Sequence, residues 1–243
     1  MERRSPPSRR ALTQATIAWA GLHLRRTLRR RGVLLAVLVL PLAAALLRWV
    51  ADAPSATAAR LLLVYPTPLL ALFFVGGALR EEIEDRTLTY PFTRPVPRSW
   101  LYYARLAAHL GPLLLAVAPS LALVAGDLGD LARFTLAAIA ASLAYGAIFA
   151  LFGALSRSAS WIGLGFLIWE HAALRVPGFV QDLSLLTYVH GLAGVTVDVG
   201  FLSLLGADLP GVARALAVLL GVAAVATLVG GRLVERREIA LER

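Results

Sequence analysis

The chain alternates long apolar stretches with short polar ones. Six of the apolar stretches are candidates to cross a bilayer, because a helix of about 20 residues spans the roughly 30 Å of hydrocarbon. These stretches are residues 33–50, 61–79, 106–125, 134–155, 158–174 and 212–229. The pattern predicts an all-α membrane protein with six transmembrane helices, in which residues 1–243 form a single domain.

Prolines and glycines interrupt several of these stretches. Pro66 and Pro68 predict a kink in the second span, where neighbouring helices would satisfy the freed carbonyl groups. Gly146, Gly163 and Gly221 stand at spacings that allow two helices to approach closely. We expect these glycines to lie in helix–helix contacts.

Residues 11–31 have the pattern of an amphipathic helix lying on the membrane surface. Ile17, Leu24 and Leu28 recur at helical spacing, and basic residues follow them. Such a helix is attracted to anionic lipid by roughly 1 kcal/mol per arginine near the surface. The alternative interpretation is a plain positively charged stop before the first span.

The pattern is ambiguous between residues 176 and 211. Residues 183–205 are apolar enough to resemble a seventh span, but Gly191, Gly194 and Gly200 interrupt them. A span there would also place the C-terminal arginines outside the cell. We therefore predict short re-entrant helices, which enter the outer leaflet without crossing and are buried by other helices.

Composition supports the membrane assignment and excludes some chemistry. The chain is 58% hydrophobic and only 16% charged, with a mean hydropathy of +0.72, whereas soluble domains are about 25% charged. It contains no cysteine and no lysine. A P-loop needs a lysine against the phosphates, so any ATP hydrolysis must be done by another subunit.

The distribution of arginine predicts the orientation of the chain. Nineteen of the 24 arginines lie on the side of the predicted spans that contains both termini, and five lie on the other side. By the positive-inside rule both termini are cytoplasmic. The net charge of +9 is then explained by topology, and no nucleic-acid partner is expected.

The densest charge lies in residues 80–98, between the second and third predicted spans. Four acids occur within five positions there, and a stiff proline-containing connector follows them. The acids are either a solvated helix end or a docking surface for basic groups on a soluble partner. The residues at issue are Arg80, Glu81, Glu82, Glu84, Asp85, Arg86 and Thr87.

The order of residues in this segment resembles type-2 ATP-binding-cassette (ABC) transporter permeases. Glu84-Asp85-Arg86-Thr87-Leu88 followed by Arg94-Pro95-Val96-Pro97-Arg98 is similar to the acidic turn, "gTL" sequence and "RPvsR" element of that family. Arg86 stands where the family commonly has glycine. A second patch, Trp169-Glu170 with Leu183-Ser184-Leu185-Leu186-Thr187-Tyr188, resembles a subset of these permeases.

The resemblance implies a permease subunit that couples ATP hydrolysis by a separate ATPase subunit to export of an unidentified substrate. Residues 80–98 would form the coupling contact, and Arg157 would add a smaller one. ATP and magnesium would be bound by the partner, and this chain would hold no cofactor. A second permease subunit, in a homodimer or heterodimer, and membrane lipids are the other implied partners, in the inner membrane of a bacterium.

Glu170 is an acid within the fifth predicted span and needs partners. A carboxylate deep in a membrane costs about 2.5–3.5 kcal/mol on insertion scales. Glu170, with His171, either lines or gates a transport path, or it accepts hydrogen bonds from backbone N–H groups of the segment that follows. His171 and Arg175 are four residues apart and are expected to share a helix face.

Two other classes of function fit the composition. An intramembrane enzyme would need clustered acids, and the nearest approach is Asp127 with Asp130, which nothing downstream completes. We therefore expect no catalytic site in this chain. A scaffold or assembly factor that does not transport would have the same composition, and stimulation of a partner ATPase is what separates it from a permease.

Overall fold

The computed structural model describes residues 9–76, 98–156, 158–176, 178–195 and 209–237. All regular structure in these residues is helical. We number the described helices α1 (Arg9–Leu28), α2 (Arg31–Val50), α3 (Ser55–Gly76), α4 (Arg98–Val124), α5 (Leu128–Leu155), α6 (Ala159–Ala173), α7 (Phe179–Asp182), α8 (Leu185–Ala193) and α9 (Val212–Arg237).

Five of the described helices, α2, α3, α4, α5 and α9, are long and apolar enough to cross a membrane. For the residues that the structure describes, this confirms an all-helical membrane protein with several candidate spans. Helix α6 coincides with the predicted span at 158–174, but its 15 residues rise only about 22 Å. It is therefore shorter than the hydrocarbon thickness, and a sixth crossing is not established by helix length.

The helices extend beyond the apolar stretches that predicted them. Helix α3 begins at Ser55 rather than 61, α4 at Arg98 rather than 106, and α5 at Leu128 rather than 134. Hydropathy marks the part of a helix that suits lipid, whereas backbone hydrogen bonding continues into polar residues at the ends. The predicted surface helix ends at Leu28, and an extended Arg30 (φ −71°, ψ 129°) separates it from α2.

Helix α1 packs mainly against α4. Thr27 is buried and Leu28 is half-buried, and a Cβ placed on Gly111 of α4 would lie 2.9 Å from Leu24 Cδ1. Ile17, predicted on the same face, is 66% exposed. Among the described residues on that side of α1, those in the last two turns pack against α4, whereas Ile17 is largely exposed.

Helix α5 lies at the centre of the bundle and packs against α3, α4, α8 and α9. Gly146 and Gly163 stand in tight contacts with side chains of neighbouring helices, as predicted. Gly221 does not, because a Cβ there would have nothing within 4 Å apart from its chain neighbours and the backbone of its own helix. Small residues on α5, many of them buried alanines, let several helices approach it at once.

Helix α3 is broken at Tyr65, immediately before Pro66. Pro66 has no N–H, so it cannot donate to the carbonyl of Leu62 four residues earlier. The hydroxyl of Thr67 donates to that carbonyl instead, at 2.8 Å. The freed carbonyl is thus satisfied within the same helix, and not by a neighbouring helix as the sequence predicted.

Two sets of contacts define the ends of the bundle. Ser99 at the start of α4 donates to Glu235 near the end of α9, and we call this the α4/α9 end. Ser55 at the start of α3 donates to Asp130 at the start of α5 (3.0 Å), and we call this the α3/α5 end. Gly76, the last residue of α3, lies beside Phe149 late in α5, so α3 finishes at the α4/α9 end.

Candidate functional site

The residues predicted to contact an ATPase lie outside the described part of the chain. They are Arg80, Glu81, Glu82, Glu84, Asp85, Arg86, Thr87 and Arg157. The described chain stops at Gly76 before the larger segment and resumes at Arg98, next to Ser99, and both flanks lie at the α4/α9 end. Residues 77–97 are therefore attached at that end of the bundle.

The most constrained polar group in the described residues is the carboxyl group of Glu170. Glu170 belongs to α6 and is 0% exposed. Its Oε2 accepts hydrogen bonds from Tyr145 Oη, Ser184 Oγ and the N–H of Leu186, each at 3.0 Å. Its Oε1 accepts from the N–H of Leu185 at 3.1 Å. Four donors thus converge on one acid.

Glu170 caps the N-terminus of α8. Leu185 and Leu186 are the first two residues of that helix, whose N–H groups have no partner within the helix. Ser184 precedes them and makes no capping bond to its own helix, because its hydroxyl is bonded to Glu170. The expectation that Glu170 accepts hydrogen bonds from N–H groups of the following segment is confirmed.

The hydrogen bonds at Glu170 are made deep inside the bundle. Tyr145 is about 26 Å along α5 from Leu128 and about 15 Å from Leu155, at 1.5 Å per residue. At the other end of α8, Gly194 lies beside Arg133, about 18 Å from Tyr145 along α5. The nine residues of α8 rise about 14 Å, so α8 lies alongside α5 over a distance comparable to half of the hydrocarbon thickness.

His171 makes contacts different from those predicted. Its ring stacks on Tyr65 at the break in α3, with ring centres 5.5 Å apart and planes at 29°. Its Nδ1 is 2.8 Å from the carbonyl oxygen of Leu167. Arg175 lies beyond the last residue of α6 and is exposed, so the pairing of His171 with Arg175 on one helix face is not found.

The carboxylates of Asp127 and Asp130 accept hydrogen bonds at the start of α5. Asp127 is the N-cap residue, and its Oδ1 accepts from the N–H of Asp130 at 2.7 Å. Asp130 Oδ2 accepts from Ser55 and from the N–H of Gly126, at 3.0 and 3.2 Å. Asp127 thus caps α5, and Asp130 holds the residue before the cap and joins α3 to α5 through Ser55. Across the described ranges, no group of three or more histidines and acids is placed to hold a metal ion.

Two partners of Glu170 were not predicted from the sequence. Tyr145 lies 25 residues before Glu170 and Ser184 lies 14 residues after it. A tyrosine in an otherwise apolar helix signals that its hydroxyl needs a partner, and a serine before an apolar run signals a helix start. Neither signal identifies which acid the residue contacts.

The fold and contacts define a multi-pass helical membrane protein with a carboxyl-centred contact joining three helices. No protein-family model matches the chain, and no curated protein matches it significantly in sequence. The function is therefore proposed from the residues themselves.

Proposed function

We propose that this chain is the transmembrane permease subunit of an ABC transporter. It couples ATP hydrolysis by a separate ATPase subunit to the export of a substrate. The proposal is supported by the resemblance of residues 84–98 to type-2 ABC permeases. It is also supported by the absence of lysine, which assigns nucleotide chemistry to a partner.

One structural observation carries the proposal. Helix α3 ends and α4 begins at the α4/α9 end, where α9 also ends and carries Arg232 and Arg236 in its last two turns. By the positive-inside rule this end faces the cytoplasm. The acidic residues from Glu81 to Asp85 are then attached where a cytoplasmic ATPase can reach them, and both termini are cytoplasmic.

The proposal includes α6 as a short sixth span and residues 176–211 as an external re-entrant segment. A span shorter than the hydrocarbon is accommodated by local thinning of the bilayer. Buried backbone at membrane depth needs internal hydrogen-bond partners, and Glu170 supplies them to α8. We assign Glu170 to holding this segment rather than to lining a path, because its side chain is enclosed within one chain.

The remaining parts of the proposal concern the assembly. Two permease subunits, most simply a homodimer, would each bind an ATPase through residues 80–98 and Arg157, in the inner membrane of a bacterium. Rigid motion of the bundle would follow ATP binding, with the acidic segment as the contact that transmits it. ATP and magnesium would remain on the partner.

Accessibility labelling tests the orientation. The chain has no cysteine, so single cysteines at Glu84 and Asp52 can be labelled without removing native thiols. Asp52 lies between α2 and α3, at the opposite end of α3 from residue 77. With a membrane-impermeant maleimide, Glu84→Cys should react only from the cytoplasmic side and Asp52→Cys only from outside. Labelling of Glu84→Cys from outside would overturn the proposal.

ATPase coupling tests the function. The ATPase subunit that copurifies with the full chain should be stimulated by it in proteoliposomes. Replacing Glu81, Glu82, Glu84 and Asp85 together by alanine should abolish the stimulation, and Asp52→Ala should preserve it. Binding and stimulation that survive the fourfold replacement contradict the assigned coupling contact. A chain that binds no ATPase and stimulates none is a scaffold instead.

A further inference from the structure

The exposed side of α1 near its C-terminus, together with Arg29 just beyond it, carries a strongly basic groove. Ala18, Gly21, Leu22, Arg25, Arg26 and Arg29 line a concave surface of about 700 Å³. All six residues are exposed. This volume lies within the range of small-molecule sites, and its lining combines guanidinium groups with apolar side chains.

The groove is held in place by the opposite side of the same helix. Thr27 is buried and Leu24 packs against Gly111 of α4, so α1 is fixed on the bundle by that side. Gly21 faces open space, because nothing lies within 4 Å of where its Cβ would be. Its missing side chain leaves room next to the arginines.

The charge of the groove is uncompensated within the residues that the structure describes. Arg25 and Arg29 are four residues apart and Arg26 and Arg29 three apart, so they are neighbours on the helix surface, where like charges destabilise a helix. The ion pair found among those residues joins Arg214 to Asp182, elsewhere in the chain. An anion bound between the three guanidinium groups would relieve their repulsion.

The surroundings of the groove favour an anion that carries an apolar part. The first span begins at Arg31, two residues after Arg29, and exposes Leu34, Leu35 and Leu38 by 45%, 60% and 69%. A membrane span with these side chains exposed meets acyl chains directly. With α2 in the bilayer, the guanidinium groups just before it would stand at the level of the phospholipid phosphates.

We propose that Arg25, Arg26 and Arg29 form a binding site for the phosphate-containing headgroup of an anionic phospholipid. The acyl chains would lie along the exposed leucines of α2. Arginine suits this ligand because its planar guanidinium group donates two hydrogen bonds to phosphate oxygens. The site is independent of the transport proposal, because it needs only the contact of α1 with α4 and the start of α2.

Native mass spectrometry of the full chain in detergent tests the site. Phosphatidylglycerol and phosphatidylcholine of equal chain length are titrated separately, and the affinity of the first bound lipid is measured. The unmodified chain should prefer phosphatidylglycerol. The triple variant Arg25→Gln, Arg26→Gln, Arg29→Gln should lose about 100-fold in affinity for it, from roughly fivefold per arginine.

Two further variants distinguish a specific lipid site from non-specific attraction between the arginines and anionic lipid. A triple glutamine variant at Arg232, Arg236 and Arg237 removes the same charge from the end of α9 and should retain binding. The triple lysine variant at the groove keeps the charge, and its binding should fall by less than about tenfold. If the lysine variant binds well, then loss in the glutamine variant reflects lost charge and not misfolding of α1.

Three results would overturn the proposal. The first is that the groove variant and the α9 variant lose affinity equally. The second is that the glutamine variant at the groove keeps phosphatidylglycerol binding within about threefold. The third is that inorganic phosphate at equal concentration displaces the lipid, which would indicate a site for a soluble phosphate compound.

Discussion

Replacing Glu170 by glutamine tests the contact that joins α5, α6 and α8. Glutamine has the same shape, but one of its two terminal atoms is an NH₂ donor. In the structure Oε1 faces the N–H of Leu185, and Oε2 faces the N–H of Leu186. Whichever way the amide is turned, one of these backbone N–H groups meets another donor. The hydroxyls of Tyr145 and Ser184 rotate and adapt.

The expected cost is that of one buried N–H group without a partner, about 1–3 kcal/mol. Because each 1.4 kcal/mol is tenfold in an equilibrium, the opening of α8 should become about 5- to 150-fold more favourable. Tyr145→Phe removes a hydroxyl donor and leaves both N–H bonds intact. We expect a smaller effect of about fivefold, from roughly 1 kcal/mol.

Hydrogen exchange of the chain in lipid nanodiscs measures this opening. Peptides covering residues 185–193 should exchange faster in Glu170→Gln, whereas peptides from α5 should change little. Asp52→Asn is the matched control, because Asp52 is an exposed acid between α2 and α3, and substitutions at such positions usually change stability by less than about 0.5 kcal/mol. If α8 exchanges less than about twofold faster in Glu170→Gln, or equally in both variants, the assigned role of Glu170 is refuted.

Two further predictions concern helix packing and the break in α3. Gly230→Ala should lower the free energy of unfolding by about 1–3 kcal/mol, since its Cβ would collide with a tyrosine of α4. Gly221→Ala, whose Cβ would meet no side chain, should raise the free energy of unfolding by up to about 1 kcal/mol. Equal changes in the two alanine variants would contradict this packing. Thr67→Val leaves the carbonyl freed by the proline without a donor and should cost about 1–3 kcal/mol. Thr57→Val, at an exposed position, should change stability by less than about 0.5 kcal/mol, and an equal loss in both would refute the role of the Thr67 hydroxyl.

Local pattern was sufficient to predict the class of protein. Among the described residues, the length of each apolar stretch identified the positions of the five membrane-length helices. The cost of burying polar groups in lipid acts on each segment by itself. The same cost implied that the carboxyl group of Glu170 must have hydrogen-bond donors inside the protein. Pattern also predicted short helices after the fifth apolar stretch, and α7 and α8 are found there.

The hydropathy pattern mispredicted some helix ends and some internal contacts. Backbone hydrogen bonds and contacts with neighbouring residues do not depend on hydropathy. Helix α4 begins eight residues before its apolar stretch, because polar residues also sustain helical hydrogen bonds. Thr67, one residue after Pro66, satisfies a carbonyl that was expected to need another helix. Gly221 has the spacing of a packing residue, but a Cβ there would touch no other helix.

By itself the sequence determined that this chain is a helical membrane protein, where its charges concentrate, and that an acid at position 170 must be satisfied internally. Only the tertiary structure decided that Tyr145, Ser184 and the first turn of α8 satisfy it. The physical reason is that insertion into lipid depends on the composition of each segment, whereas a hydrogen bond depends on where two segments meet. Residues separated by 14 to 25 positions are brought together by packing, which no local pattern records.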